Sequence, residues 1–297
     1  MVTVGVVFHP AFEPEALPAY ARHVEASGLD ELWLWEDCFR EGGVSTAAVA
    51  LAVTERIRVA TGVLPMPLRN VALTAMEAAT LARTFPARLV LGVGHGVQDW
   101  MAQVGARPAS PLTLMREYVP ALRSLLAGER VTTAGRYVTL NDVALDWPPA
   151  APPPVWAAGE GPRTLRLAGE LAEGVVLTGG TSAEVAREAL AGVREGAGSG
   201  GSQPFPAAAF VMTSFADAAD DVPAARARLA SAWDEWEIPA ERCGGVAGTP
   251  AEVARQLRAW VEAGVTNLVL QPMDDADRAG FVRAAGEAAV LLRAASA

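Results

Sequence analysis

Short, continuous apolar runs recur along the chain, each followed by a longer stretch in which apolar residues return every three or four positions. The first pattern is that of strands buried on both faces, the second that of amphipathic helices. Eight strands are predicted, at residues 3–8, 30–35, 57–64, 89–94, 154–158, 174–178, 207–215 and 267–271. Their alternation with helices makes the fold α/β, and eight such units predict a (β/α)8 TIM barrel with insertions at the C-terminal face of the barrel.

Helix ends are legible in the same way. Gly28, Gly174 and Gly264 each stand between a helical pattern and a strand, where a left-handed residue stops a helix. Thr181-Ser182-Ala183-Glu184 and Thr249-Pro250-Ala251-Glu252 read as capping boxes, the second with proline at the first helical position. The helix predicted over 71–84 carries Leu73, Met76, Ala79, Leu81 and Ala82 as a stripe for the core. Two stretches interrupt the alternation. Residues 129–154 hold a short β pattern and a proline run, expected as an insertion at one barrel end, and the Gly/Ser-rich residues 196–203 are expected as a surface loop. Neither divides the chain, so residues 1–297 are expected to form a single domain.

Composition adds exclusions. With 51% hydrophobic and 20% charged residues the chain can fill a large core. A formal charge of -10 without basic runs argues against nucleic acid or anionic membrane as partner. No apolar stretch approaches the ~20 residues of a membrane span and no signal segment opens the chain, so a cytoplasmic location is expected. Cys38 and Cys243 are expected as free thiols.

Candidate chemistry gathers at the predicted strand ends, where barrels of this class bind ligands. In Leu91-Gly92-Val93-Gly94-His95-Gly96 the glycines share one strand face, which predicts close approach of something flat, with His95 at the strand end. Val97 stands where a dinucleotide fingerprint needs its third glycine. Ala158-Gly159-Glu160-Gly161-Pro162-Arg163-Thr164 joins a strand to a helix start, and reads either as a phosphate cradle or as a plain turn. Arg163 favours the cradle; Glu160 opposes it unless it points away. Thr178-Gly179-Gly180 offers a second small loop. Glu36, His95 and His9 are the candidate acid/base groups, with Asp37 as neighbour of Glu36. Trp35, Met66 and Trp100 are candidate lining for an apolar substrate. No residue spacing suggests a metal site, and neither a nucleophile elbow nor a P-loop occurs.

Taken in order, Leu32-Trp33-Leu34-Trp35-Glu36-Asp37, residues 54–63, the glycine strand, residues 158–167, Leu171-Ala172-Glu173-Gly174 and Gly248-Thr249-Pro250 resemble the bacterial-luciferase-like superfamily, and most its actinobacterial branch that uses the deazaflavin F420. The resemblance implies an oxidoreductase that moves hydride between F420 and a small organic substrate. It places Asp37 at the ring, a cis peptide at Gly62-Val63 behind it, and His95 and Gly96 along it. Ala158, Gly159, Gly161 and Pro162 fall on the phosphate loop, and Thr178 on the substrate or phosphate side. Two positions depart from relatives: a histidine that follows the aspartate is Cys38 here, and a glutamate of the sugar-phosphate dehydrogenases is Val97. Sugar-phosphate oxidation is therefore disfavoured. An FMN-dependent monooxygenase and a non-catalytic flavin-binding barrel are the alternatives. Arg40, Arg69 and Arg163 are expected to form a cationic groove for the F420 tail, and a homodimer is expected by analogy.

Overall fold

The computed structural model describes residues 2–198, 204–235, 244–273 and 277–295. Eight strands, β1 (Thr3–Phe8), β2 (Glu31–Leu34), β3 (Arg58–Thr61), β4 (Leu89–Gly94), β5 (Val155–Ala158), β6 (Gly174–Leu177), β7 (Ala207–Phe215) and β8 (Asn267–Pro272), pair in parallel in chain order. β8 pairs back onto β1, so the sheet closes as the expected (β/α)8 barrel.

Side-chain alternation sorts each strand into two cores. Val7, Trp33, Ala60, Val90, Trp156, Val176, Phe210 and Val269, one from each strand, form a cluster inside the barrel. Residues of opposite parity, such as Val6, Leu32, Val59 and Leu91, join the larger layer between sheet and helices. Below the inner cluster Glu31 is fully buried. Its carboxylate accepts from Trp33 Nε1 at 2.8 Å and Asn267 Nδ2 at 2.9 Å, and pairs with Arg58 at 2.5 Å. Burial raises the Glu31 pKa above its ordinary value, and these partners oppose the rise. Gly5 makes room for the strand beside it, because a Cβ there would stand 2.8 Å from the Glu31 carbonyl.

Several expectations are corrected. The strand expected at 57–64 breaks after Thr61, turns through a cis Gly62–Val63 peptide, and re-enters the sheet as Leu64–Pro65 against Val93 and Gly94. A strand not anticipated, Gly245–Gly248, pairs with the upper half of β7, above the point where the β6 pairing ends. Gly28 and Gly264 have φ of +78° and +103°, as expected of helix stops, but Gly174 opens β6 instead. It is required there by Trp156, whose indole would lie 2.4 Å from a Cβ. The box at Thr249 forms with Glu252. At the other site Ser182, not Thr181, caps helix Ala183–Ala197, so Glu184 falls one position short of a box.

Helix Val71–Thr84 has the expected bounds, and Ala79, Leu81 and Ala82 of the expected stripe are buried, whereas its first two members are not. Leu73 is 45% and Met76 58% exposed, while Val71, Thr74, Ala75, Ala78, Ala79, Leu81 and Ala82 face inward. Gly196 belongs to helix Ala183–Ala197 and not to a loop; it and Gly169 let two helices cross backbone to backbone, with positions for a Cβ only 1.8 Å from the Arg166 oxygen and 1.9 Å from that of Val193. Residues 199–203 of the expected loop lie outside the described residues. The 129–154 insertion connects helix Pro111–Leu126 to β5, so it is rooted at the N-terminal end of the barrel. Its hairpin, Val131–Ala134 with Thr139–Val143, lies along that helix, where Glu117 accepts three backbone N–H groups from Arg136, Tyr137 and Val138. The stretch that does stand at the C-terminal face follows β4 and carries the short helix Gln98–Gln103. Cys38 is a free thiol; Cys243 lies outside the described residues. Among the described residues no helix is long and apolar enough to cross a membrane.

Candidate active site

The glycine face of β4 is not bare. Thr61 sits across from it, its hydroxyl donating to the Gly92 carbonyl and accepting the Gly92 N–H, both at 2.9 Å. A Cβ on Gly92 would stand 2.0 Å from the Thr61 carbonyl oxygen, and one on Gly94 2.7 Å from Val63 Cγ2. The residue that presses on the glycines is therefore Val63, delivered by the cis Gly62–Val63 turn. Gly62 itself is wedged between Phe210 and Trp33, whose rings a Cβ would meet at 2.7 and 2.8 Å. Gly96 has a φ of +66°, which turns the chain off the strand under Met101.

Above this shelf the strand ends enclose a cavity of about 610 Å³. It draws Trp35, Glu36 and Asp37 from beyond β2, Gly62 and Val63 from beyond β3, and His95, Gly96 and Trp100 from beyond β4. Ala158 reaches it from the last position of β5, Gly159 and Gly161 from beyond that strand, and Thr178 from beyond β6. Four expected residues do not line it. Met66 is 2% exposed and packs in the layer between sheet and helices, because the chain has re-entered the sheet just before it. Cys38 follows Asp37 into the loop outside the cavity, across a second cis peptide to the exposed Phe39. Pro162 opens the helix with its ring on the exposed surface. His9 sits one ring behind, 5.6 Å from Trp35 and 5.9 Å from Phe12, with Nδ1 accepting the Ala11 N–H.

The candidate acid/base groups differ in what holds them. Both Glu36 oxygens face Arg69, at 3.2 Å from Nε and 2.7 Å from Nη2, and one also accepts the Gly43 N–H at 2.6 Å. Arg69 is gripped in turn by Glu77 at 2.8 Å. Glu36 is thus an anchor for the loop that carries Trp35 and Asp37. Burial pushes the Asp37 carboxyl up to about 6, against the pull of Arg40 and with a further push from Glu41. Burial lowers the His95 pKa below its ordinary value, which disfavours the charged ring. His95 Nε2 and Trp35 Nε1 are both buried without a hydrogen-bond partner among the described residues. Such groups are costly unless something meets them.

At the far side, helix Pro162–Leu171 starts from Gly161 with no side chain capping it, so first-turn N–H groups remain for an anion. Glu160 lines the cavity beside that helix end, its Oε1 accepting the Thr178 hydroxyl at 2.7 Å. The expected cationic groove does not form here: Arg40 donates to the Pro10 carbonyl at 2.9 Å, Arg69 is spent on carboxylates, and Arg163 is exposed outside the cavity. The sequence reading missed Phe210, which lies inside a strand and not at its end, yet forms the cavity floor against Trp35 at 5.2 Å. It also missed the importance of Gln271, which is fully buried with its amide unpartnered, next to Gly179. Barrel parity, with Gln271 two residues beyond the inward Val269, was the available signal.

A family model described as luciferase-like monooxygenase matches residues 3–243. The chain belongs to the luciferase-like monooxygenase family. Within that family it is 31% identical to an F420-dependent glucose-6-phosphate dehydrogenase of Kineococcus radiotolerans over 90% of both chains. It is also 31% identical to a 5,10-methylenetetrahydromethanopterin reductase of Methanolobus tindarius, over 59% of this chain and only 54% of that protein. The coenzyme F420 dependent tetrahydromethanopterin reductase structure from Methanopyrus kandleri superposes with a TM-score of 0.82 at 19% identity, over 96% of this chain and 97% of that one, a likeness of fold. The luciferase-like barrel and its mouth thus agree with the strand-end placement of the cavity.

Proposed function

We propose that this chain is an F420-dependent oxidoreductase that exchanges hydride between the deazaflavin and a small, uncharged organic substrate. The observation that carries the reading is the shelf of Val63 on Gly92 and Gly94, at the base of a cavity bordered by Trp35, His95 and Phe210. A flat ring fits that arrangement, and the buried Trp35 Nε1 and His95 Nε2 supply the polar contacts that an apolar slot otherwise lacks. The relative named as an F420-dependent glucose-6-phosphate dehydrogenase supports the choice of cofactor. When bound, F420 supplies a carbon that carries the hydride. The protein's part would be placement: Val63 would support the ring from below and Asp37 and His95 would border it, while the Arg69–Glu36 pair holds the loop that bears Trp35 and Asp37.

The lining also bears on substrate class. Glu36, Asp37 and Glu160 are its carboxylates, and among the described residues no arginine lines it, while the chain has no lysine at all. A phosphorylated sugar would find no cation there, whereas Trp35, Trp100 and Phe210 suit an apolar body. With Glu36 engaged by Arg69, His95 and Asp37 are the groups left to hold or move a proton at a substrate oxygen. An FMN-dependent monooxygenase is the second reading, favoured by the description of the family model. Fluorescence titration with F420 and with FMN, each oxidised and reduced, decides between them. Tight F420 and negligible FMN binding is expected; the reverse would establish the second reading, and binding of neither would leave a non-catalytic barrel.

A further inference from the structure

The short helix after β4, Gln98–Gln103, has three distinct faces. At about 100° per residue, Gln98 and Met101 point back at the barrel. Met101 is fully buried, with its Cε 3.1 Å from where a Cβ on Gly96 would be, and Gln98 donates to the His95 and Gly96 carbonyls at 3.2 and 3.3 Å. The helix is thereby fixed to the end of the strand that carries the glycines. Asp99, Ala102 and Gln103 are exposed on the opposite face. Val97, Trp100 and Val104, spaced by three and four residues, occupy one flank between the two. Val97 and Trp100 line the cavity and Val104 does not, so this flank runs from the cavity wall out past the mouth. Its length at the helical rise is about 10 Å. Val97 is 48% and Val104 47% exposed.

Single exposed valines need no explanation, but two in line with a tryptophan of the cavity wall form a continuous apolar ledge. Its occupant follows from two sizes. Pockets for one drug-sized ligand span roughly 300–1,000 Å³, and this cavity holds about 610 Å³. A flat ring on the Val63 shelf therefore leaves room for only part of a second molecule, and the remainder emerges at the mouth. A protein partner, by contrast, needs about 800 Å² on each side for a stable interface, far more than three side chains of one short helix present. The ledge carries no charge, and the flat face of Trp100 suits a rigid aromatic body.

We propose that Val97, Trp100 and Val104 form a specificity-determining ledge that holds the distal part of an extended, uncharged aromatic substrate whose reacting end lies inside the cavity. The proposal rests on the F420 reading of the cavity and extends it to the class of substrate. The test is equilibrium dialysis of acetophenone, 2-acetylnaphthalene and 4-acetylbiphenyl against wild type, Val97→Ser and Val104→Ser, each saturated with oxidised F420. Val290→Ser serves as control, since Val290 is 59% exposed on the last helix, away from the cavity. In wild type the dissociation constant should fall with each added ring. In Val97→Ser and Val104→Ser the ratio of the acetophenone to the 4-acetylbiphenyl constant should drop about three- to tenfold, and Val290→Ser should keep the wild-type ratio. A wild-type affinity that stops rising beyond acetophenone, a ratio unmoved in Val104→Ser, or an equal drop in Val290→Ser would overturn the proposal. A dimer in sedimentation that Val104→Ser dissociates would place a second copy on the ledge and overturn it likewise. Failure of F420 to bind, read from its own fluorescence before any ketone is added, would instead overturn the cofactor reading, while the ketone ratios of wild type and Val104→Ser would still report on the ledge.

Discussion

Asp37 shows how a single residue's environment becomes a measurable property. Burial raises its folded pKa to about 6 from an ordinary 3.8, so the folded protein holds this proton more tightly than the unfolded chain does. Its contribution to stability is complete below about pH 3.8 and is lost as pH rises through 6. Asp37→Asn removes that loss. Relative to wild type, the variant should gain about 1–3 kcal/mol between pH 4 and pH 7.5, measured by urea denaturation of both proteins across that range. Parallel stability curves would show that Asp37 is not buried as described. The position of Asp37 at a strand end was legible in the sequence, since it follows an apolar run directly. The fate of its neighbour was not: Glu36 and Asp37 look alike as a pair, and only Arg69, 33 residues away, separates anchor from free carboxyl.

At the scale of the element, β4 and the turn after β3 form one unit. The sequence showed that β4 lacks side chains on one face but not what fills it, because Val63 arrives from a different strand. Gly92→Ala should destabilise by about 3 kcal/mol or more, since its Cβ would stand 2.0 Å from a backbone oxygen that cannot move without breaking the Thr61 bonds. Gly161→Ala, at a φ of -74° with nothing within 4 Å, should stay within about 0.5 kcal/mol of wild type. Denaturant midpoints of the two variants check the pair, and equal losses would contradict the shelf. Helix Val71–Thr84 has the same lesson in another form: its length follows from local pattern, but Leu73 and Met76 face outward while Val71, Leu81 and, between them, Ala75, Ala78 and Ala79 are buried.

For the whole molecule, closure of the barrel brings together residues from opposite ends of the chain. Asn267 reaches Glu31 across 236 positions, and with Arg58 it compensates a carboxylate that has no access to water. Asn267→Leu leaves that charge short of a donor and should cost about 2–4 kcal/mol in chemical denaturation; a loss under about 0.5 kcal/mol would mean the floor network contributes little. The sequence by itself determined the eight strands, the helices between them and thus the barrel, because strand alternation, helix period and caps act over neighbouring residues. It also pointed to the strand ends, where the cavity lies. Only the tertiary structure decided that Met66 is core, that Phe210 is cavity floor, that Arg69 captures Glu36, and that Glu160 faces the cavity and meets Thr178. Each of these depends on which residues closure places within a few ångströms of one another, and no local pattern encodes that distance.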